Sequence, residues 1–545
     1  MKKNDRIEIT ITDIGVHGEG IGKANGFTFF VKDTVPGDHV LATVMKLKRN
    51  YGYARLQEIL FPSKDRADAL CPSARACGGC SLQAMTYERQ LLFKQEKIRS
   101  CLLRLGGFSD PPMEPILGME NPFRYRNKAQ YPVGYDKNGR IAVGFYAAGT
   151  HSIVPVEDCV IGPEENREII RRLVRWMEEE ENPPYQEETG EGCIRHILIR
   201  KAFSTGEILV CLVVNRPIQG GEALMATLEE LPEVVGITIN HNSARTNVIL
   251  GERTTAFYGK PAIEDVLAGI RFSISTESFY QVNPVQTEKL YERVMEYAAL
   301  TGKETVWDLF CGIGTISLFL AKKAKKVFGV ELNRQAVEDA KRNAKRNGID
   351  NAEFLAGKAE EIYPAMIRER ADEAKAEVIV VDPPRKGCER PLLEAMLGMQ
   401  PERIVYVSCD PATLARDLRI LCDGGYELKR VQGVDCFSQT PHVETVVSLS
   451  LKSDSPKIEV SMKPGEDSLY EPHDKGTYEK IKAYVLEKYG FKVSSLYIAQ
   501  TKDKCGLDKR LNYNLSKKDA PHVPECPKEK EDAIMDAFRH FGLIE

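Results

Sequence analysis

The chain lacks any apolar run approaching the roughly 18 residues needed to span a bilayer. No secretory apolar region follows Met1 either, because residues 1–6 lead straight into the alternating stretch Ile7, Ile9, Ile11. Charge of one sign is also missing: 75 Lys and Arg stand against 79 Asp and Glu, a net of -4, which excludes a globally basic nucleic-acid binder. Any RNA or DNA surface must therefore be a local patch. Hydrophobic residues at 42% and charged residues at 28% exclude a disordered chain. With 14 cysteines in 545 residues the chain is too poor for a disulfide scaffold, so clustered cysteines suggest metal and scattered ones suggest core. There is no internal repeat. The expectation is a soluble, cytoplasmic protein of three or four domains with no membrane partner.

The first 60 residues alternate apolar and polar, with Gly15, Gly18, Gly20, Gly22 and Pro36-Gly37 as punctuation, which predicts a small β-barrel. Its later strands carry Lys46, Lys48, Arg49, Tyr51, Tyr53 and Arg55. Cations interleaved with aromatics suit phosphates and stacked bases, and a solvated edge strand blunted by lysines is the competing reading. Residues 67–163 are rich in Cys, Gly and Pro around a helical stretch at 87–105, and a mixed α+β region follows to about 269. From 276 to 451 strands and helices alternate, calling for a parallel, doubly wound sheet. After Ser453 come a polar linker to 467 and a lysine-rich tail, with helices expected at 478–489, from Ser494 to Gly506, and at 528–541. Its basic loop 502–518 fits extra RNA affinity or a solvated packing module equally. Cys505, Cys526, His473 and His522 lack tight ligand spacing.

Residues 305–309 read as a strand, Cys311-Gly312-Ile313-Gly314 as a glycine turn, 315–323 as a helix and 326–330 as a second strand ending at Glu331. That is one nucleotide-binding βαβ half, with an acid set to bond ribose hydroxyls. The third glycine of the dinucleotide fingerprint is missing, since Ile316-Ser317 follow, so S-adenosylmethionine fits better than a pyrophosphate cofactor. Asp382, opening Asp-Pro-Pro-Arg, follows the apolar run 378–381 and points at the ligand crevice. Cys409 lies between the run 404–407 and a helix that Asp410-Pro411 should start, where the helix dipole favours a thiolate nucleophile. Cys211, Cys311, Cys422 and Cys436 read as inert core. Glu444, at the head of a last strand, reads equally as an outward, solvated acid.

Cys71, Cys77 and Cys80 form C-x5-C-x2-C, and Cys159 stands 79 residues further on. Three close thiols with a distant fourth suit an iron–sulfur cluster or zinc, and spacing alone does not choose.

These residues together resemble the S-adenosylmethionine-dependent RNA uracil-C5 methyltransferases, especially the bacterial 23S ribosomal RNA branch with a [4Fe-4S] cluster, over about residues 1–452. The resemblance implies a TRAM-like RNA-binding barrel at 1–61, a central iron–sulfur domain at 62–265 whose residues 90–125 pack with the catalytic domain, a Rossmann-like methyltransferase domain at 266–452 and an accessory module at 453–545. It implies Cys71, Cys77, Cys80 and Cys159 as cluster ligands, and Gln281, Phe310, Glu331 and Asp382 as cofactor residues. Cys409 becomes the nucleophile and Glu444 the general base, in a monomer acting on RNA, with 23S ribosomal RNA the expected partner. Transfer RNA uridine, RNA cytosine-C5 methylation and a catalytically silent iron–sulfur assembly factor stand as alternatives.

Overall fold

A computed structural model describes residues 1–452, 478–505, 526–541 and 543–544. The chain divides into two units, residues 1–455 and 456–545. Among the described residues no helix is long and apolar enough to cross a membrane.

The first unit opens with a closed five-stranded barrel in the order Arg6–Ile14, Gly20–Ala24, Phe27–Val31, Tyr51–Phe61, His39–Leu47. Alternation drives it: Ile7, Ile9 and Ile11 enter the core while Glu8 and Thr10 face water. Because the barrel is closed, Lys46 and Arg55 lie on strands with neighbours on both sides and guard no sheet edge, while Lys48 and Arg49 sit in the turn between those strands.

A seven-stranded sheet follows, ordered Arg253–Gly259, Val234–His241, Ile208–Val214, Ile194–Lys201, Lys128–Tyr135, Ile141–Tyr146, Ile153–Pro155. Its strand Ile208–Val214 is buried at every position, the pattern of a strand covered on both faces. Leu173, Trp176 and Leu224 of the helices Glu165–Glu179 and Gly221–Glu229 join Ile197, Ile199 and Leu212 in one core.

The last sheet of this unit has eight strands: Ala352–Ala356, Lys326–Glu331, Thr305–Asp308, Val378–Val381, Arg403–Ser408, Glu444–Leu451, Tyr426–Val434 and Met113–Leu117. The first five run parallel, and Glu444–Leu451 enters antiparallel between Arg403–Ser408 and Tyr426–Val434. The eighth strand comes from far upstream. The helix before it, Tyr87–Arg104, inserts Ile98 and Leu102 among Leu414 and Leu418 of the helix Pro411–Asp423.

In the second unit the helices Tyr478–Tyr489, Ser495–Lys504 and Lys528–His540 share a core of Ile481, Val485, Ile498, Ile534 and Phe538. The Ser494 hydroxyl accepts the Tyr497 N–H at 3.2 Å, the capping role its sequence position suggested. Most of the basic loop 502–518, together with His473, Gly506 and His522, lies outside the described residues.

Candidate active site

At the carboxyl end of Thr305–Asp308 the chain turns through Gly312 and Gly314, at φ +54° and +86°, into the helix Thr315–Ala321. A side chain at Gly314 would be strained by that backbone and would press on Phe354 at 3.1 Å. Glu331, 19 residues after Gly312, accepts the Gly312 N–H at 3.3 Å and the Asn333 N–H at 2.8 Å, so its carboxylate is aimed across the turn.

Cys409 follows the strand Arg403–Ser408, and Asp410 caps the next helix by accepting the N–H groups of Ala412 and Thr413 at 2.9 and 3.1 Å. The antiparallel register ends by pairing Ser408 with Thr445, and Cys409 and Glu444 are the next residues on the two chains, close enough for the Glu444 charge to act on the thiol. Glu444 is 3% exposed, which overturns the solvated alternative.

Gln281, Phe310, Glu331, Asp382, Cys409 and Glu444 all line one cavity of about 720 Å³. A larger cleft of about 1070 Å³ beside the central sheet, near Val133 and Arg140, gathers none of them.

The electrostatics of the cavity are set by buried acids. Burial and then Asp308 push the Asp382 carboxyl well above the usual range, and burial and then Asp382 do the same to Glu444. The Cys409 thiol is pushed up to about 11 by burial, Glu444 and Asp382, with the Arg385 guanidinium pulling the other way. The expected dipole-stabilised thiolate is therefore corrected: low dielectric and two carboxylates from remote strands outweigh one helix terminus. Cys211, Cys311, Cys422 and Cys436 are buried, as core cysteines should be.

Some residues at the site carry no signal in the sequence. Behind the cavity, Asp308, fully buried at the end of its strand, accepts the Ser317 hydroxyl at 2.6 Å and its charge acts on Asp382. Phe437 and His442 line the cavity from the loop before Glu444, and Phe279, 70% exposed, lines it beside Gln281. Nothing in their spacing marks them.

Cys71, Cys77, Cys80 and Cys159 are free, half-buried thiols within electrostatic reach of one another. Cys80 is pushed up to about 12, chiefly by burial and further by Cys159, Cys77 and Cys71. The Gly79 N–H donates to Cys77 Sγ at 3.4 Å, and Arg124 grips Asp158 at 2.6 Å and the Cys159 carbonyl at 3.0 Å. Among the described residues no three His, Cys, Asp or Glu converge to hold a single metal ion. Just past the cysteines, the N–H groups of Ser81 and Leu82 both donate to the Gln439 carbonyl at 3.0 Å, joining this loop to the one carrying Phe437 and His442.

On the barrel, Tyr51 and Tyr53 lie on the outer face with Phe30, ring centroids 5.5 to 5.7 Å apart. Lys46, Lys48, Arg49 and Arg55 are exposed around them.

A glycine turn and a strand-end acid on a mostly parallel sheet define a Rossmann-like nucleotide-binding fold. Residues 87–452 match the tRNA (Uracil-5-)-methyltransferase family and residues 2–56 the TRAM domain. The chain is 48% identical over 459 residues to an uncharacterized RNA methyltransferase of Clostridium tetani, covering 84% of this chain and 99% of that one. A second such protein, of Bacillus cereus, is 46% identical over 452 residues, covering 83% and 97%. Among solved structures, the Pyrococcus abyssi tRNA (uracil-54, C5)-methyltransferase with bound S-adenosyl-L-homocysteine superposes with a TM-score of 0.67 at 27% identity, covering 81% of this chain and 99% of that one. The chain belongs to the RNA uracil-5-methyltransferase family and carries a TRAM domain; it is an S-adenosylmethionine-dependent RNA (uracil-C5)-methyltransferase.

Proposed function

We propose that this enzyme methylates C5 of uridine in 23S ribosomal RNA, acting as a cytoplasmic monomer with a [4Fe-4S] cluster. The reading of the chemistry is carried by one observation: Cys409 and Glu444 line the same cavity as Glu331 and Asp382, with the Glu444 charge acting on the Cys409 thiol. Gln281, Phe310, Glu331 and Asp382 hold the cofactor, Glu331 taking ribose hydroxyls. A cavity whose acids are raised by burial and mutual repulsion suits a cationic sulfonium. When bound, S-adenosylmethionine supplies an electrophilic methyl group.

C5 of uracil is a poor nucleophile. The Cys409 thiolate adds at C6, moving the C5–C6 electron pair toward the C4 carbonyl as an enolate and so arming C5. Once C5 is methylated, Glu444 takes its proton, the C5–C6 double bond reforms and the thiolate leaves from C6. Arg385, whose charge reaches both Cys409 and Glu444, favours their ionised forms. The base must leave its stack to reach the cavity, and the aromatic and cationic face of the barrel holds neighbouring nucleotides.

The ribosomal target and the cluster rest on the four-cysteine pattern. Four thiols within electrostatic reach of one another, an N–H donor to Cys77 Sγ, and the Ile161 and Gly162 N–H groups that partly offset the burial raising Cys159 fit a cluster of thiolate-bound iron, which would hold the 62–265 region together. Quantifying 5-methyluridine in ribosomal and transfer RNA from cells with and without the gene tests the target. Loss from 23S ribosomal RNA is expected; loss from transfer RNA alone assigns the other substrate.

A further inference from the structure

Beside the catalytic cavity, one face of the central sheet collects positive charge. Lys128 lies directly opposite Arg200 in the antiparallel pairing of Lys128–Tyr135 with Ile194–Lys201. Arg126 stands two residues earlier and donates from Nε to the Lys128 carbonyl at 3.0 Å. Like charges directly opposite in such a ladder are destabilising. Among the described residues none of the three cations forms an ion pair, whereas their neighbours Arg124 and Lys201 pair with Asp158 and Glu165. The acid that reaches Arg200 is Glu277, which is exposed to solvent.

Arg200 and Asn127 tie this cluster to the cavity wall. Arg200, 2% exposed, donates to the carbonyls of Thr276 and Ser278, just before Phe279, and keeps a buried Nε without a partner. Asn127, between Arg126 and Lys128, donates its N–H to the Val282 carbonyl at 2.8 Å and its side-chain amide to the Gln281 carbonyl at 2.9 Å. Arg126 and Lys128 therefore flank the segment that carries Phe279 and Gln281 into the cavity. Among the described residues the half-buried Lys128 ammonium has no hydrogen-bond or ion-pair partner. Burial, and then the charges of Arg200 and Arg126, push it down to about 7, which an arriving anion would reverse.

We infer that Arg126 and Lys128, backed by Arg200, form an anion subsite for a backbone phosphate of the RNA strand whose uridine enters the cavity. The inference rests on the RNA-methylation reading and adds a register point to it, since phosphate contacts position a strand without reading its sequence. The second available anion is the single carboxylate of the cofactor, and the test separates the two.

The probe is a fluorescein-labelled 20-nucleotide oligouridylate, titrated into the full-length protein at several salt concentrations, with S-adenosylmethionine affinity measured in parallel by calorimetry. Lys128→Gln and Arg126→Gln should each weaken RNA binding about tenfold and flatten the slope of log affinity against log salt by about 0.7, the value for one single-strand phosphate contact. Lys128→Arg should restore both, and cofactor affinity should stay within about twofold, which also reports an intact fold. Unchanged RNA affinity and slope overturn the subsite. So does a selective loss of cofactor affinity, which would give the cations to the cofactor carboxylate. If the salt signature appears while cellular RNA shows no gene-dependent 5-methyluridine, the subsite stands and the functional reading falls.

Discussion

Lys94 and Asp435 meet at 2.5 Å with both side chains wholly out of solvent. The pair pins the helix Tyr87–Arg104 to the loop leading into Glu444, and Lys94 also donates to the Phe437 carbonyl at 2.9 Å. The Tyr87 hydroxyl donates to the other Asp435 oxygen at 2.8 Å. A buried pair is weak evidence for net stability, but removing one partner strands the other charge. Lys94→Met should lower the unfolding free energy by about 3–5 kcal/mol in urea denaturation of the full chain. Lys94→Met with Asp435→Leu should recover most of that loss, and a double variant as unstable as the single one would refute this account.

Order of steps separates nucleophile from base. Cys409→Ala should bind RNA but neither methylate it nor form a denaturant-stable complex. Glu444→Gln should accumulate a covalent protein–RNA species that already carries the methyl group, because loss of the C5 proton is slowed. An RNA containing 5-fluorouridine, with no C5 proton to lose, should trap the wild type in the same way. Methylation by Cys409→Ala, or no band with the fluorinated RNA, would sink the thiolate mechanism.

The pH dependence has a definite sign. Glu444 is raised to about 8 and Cys409 to about 11, and each acts in its deprotonated form. Single-turnover release of free 5-methyluridine RNA at saturating RNA and cofactor should therefore climb as pH rises from 6.5 toward 8.5. A flat or falling profile over that window would refute deprotonation of Cys409 and Glu444 as the limiting requirement.

Glu331 gives the cofactor site its simplest probe. Glu331→Ala removes a charged acceptor and should weaken S-adenosylmethionine binding by about 1–3 kcal/mol. Equal affinities by calorimetry would remove Glu331 from the site.

Metal content checks the cysteine set. Protein purified without oxygen should carry one [4Fe-4S] cluster per chain, and Cys80→Ser should lose iron and sulfide together. Stoichiometric zinc with no iron would replace the cluster by a zinc site.

Local rules reach a definite distance into this molecule. Strand Val378–Val381, the glycine turn at Gly312 and Gly314, and the Asp410-capped helix were legible in the sequence because period, turn chemistry and capping depend on residues within a few positions. Tertiary structure decided the rest. Alternation marks Glu444 as facing one side of a strand, but the antiparallel partner Arg403–Ser408 made that side a wall of the cavity that Cys409 also lines. Composition places Met113–Leu117 in the central region; the family resemblance implied that residues 90–125 pack with the catalytic domain, and the pairing of this strand with Tyr426–Val434 at the edge of the catalytic sheet agrees with that. Sequence position alone suggested a lowered Cys409 pKa, whereas the folded cavity raises it. A side chain's charge state sums desolvation and every neighbouring charge, and those neighbours, Asp382 and Glu444, arrive from strands that only the closed fold brings together.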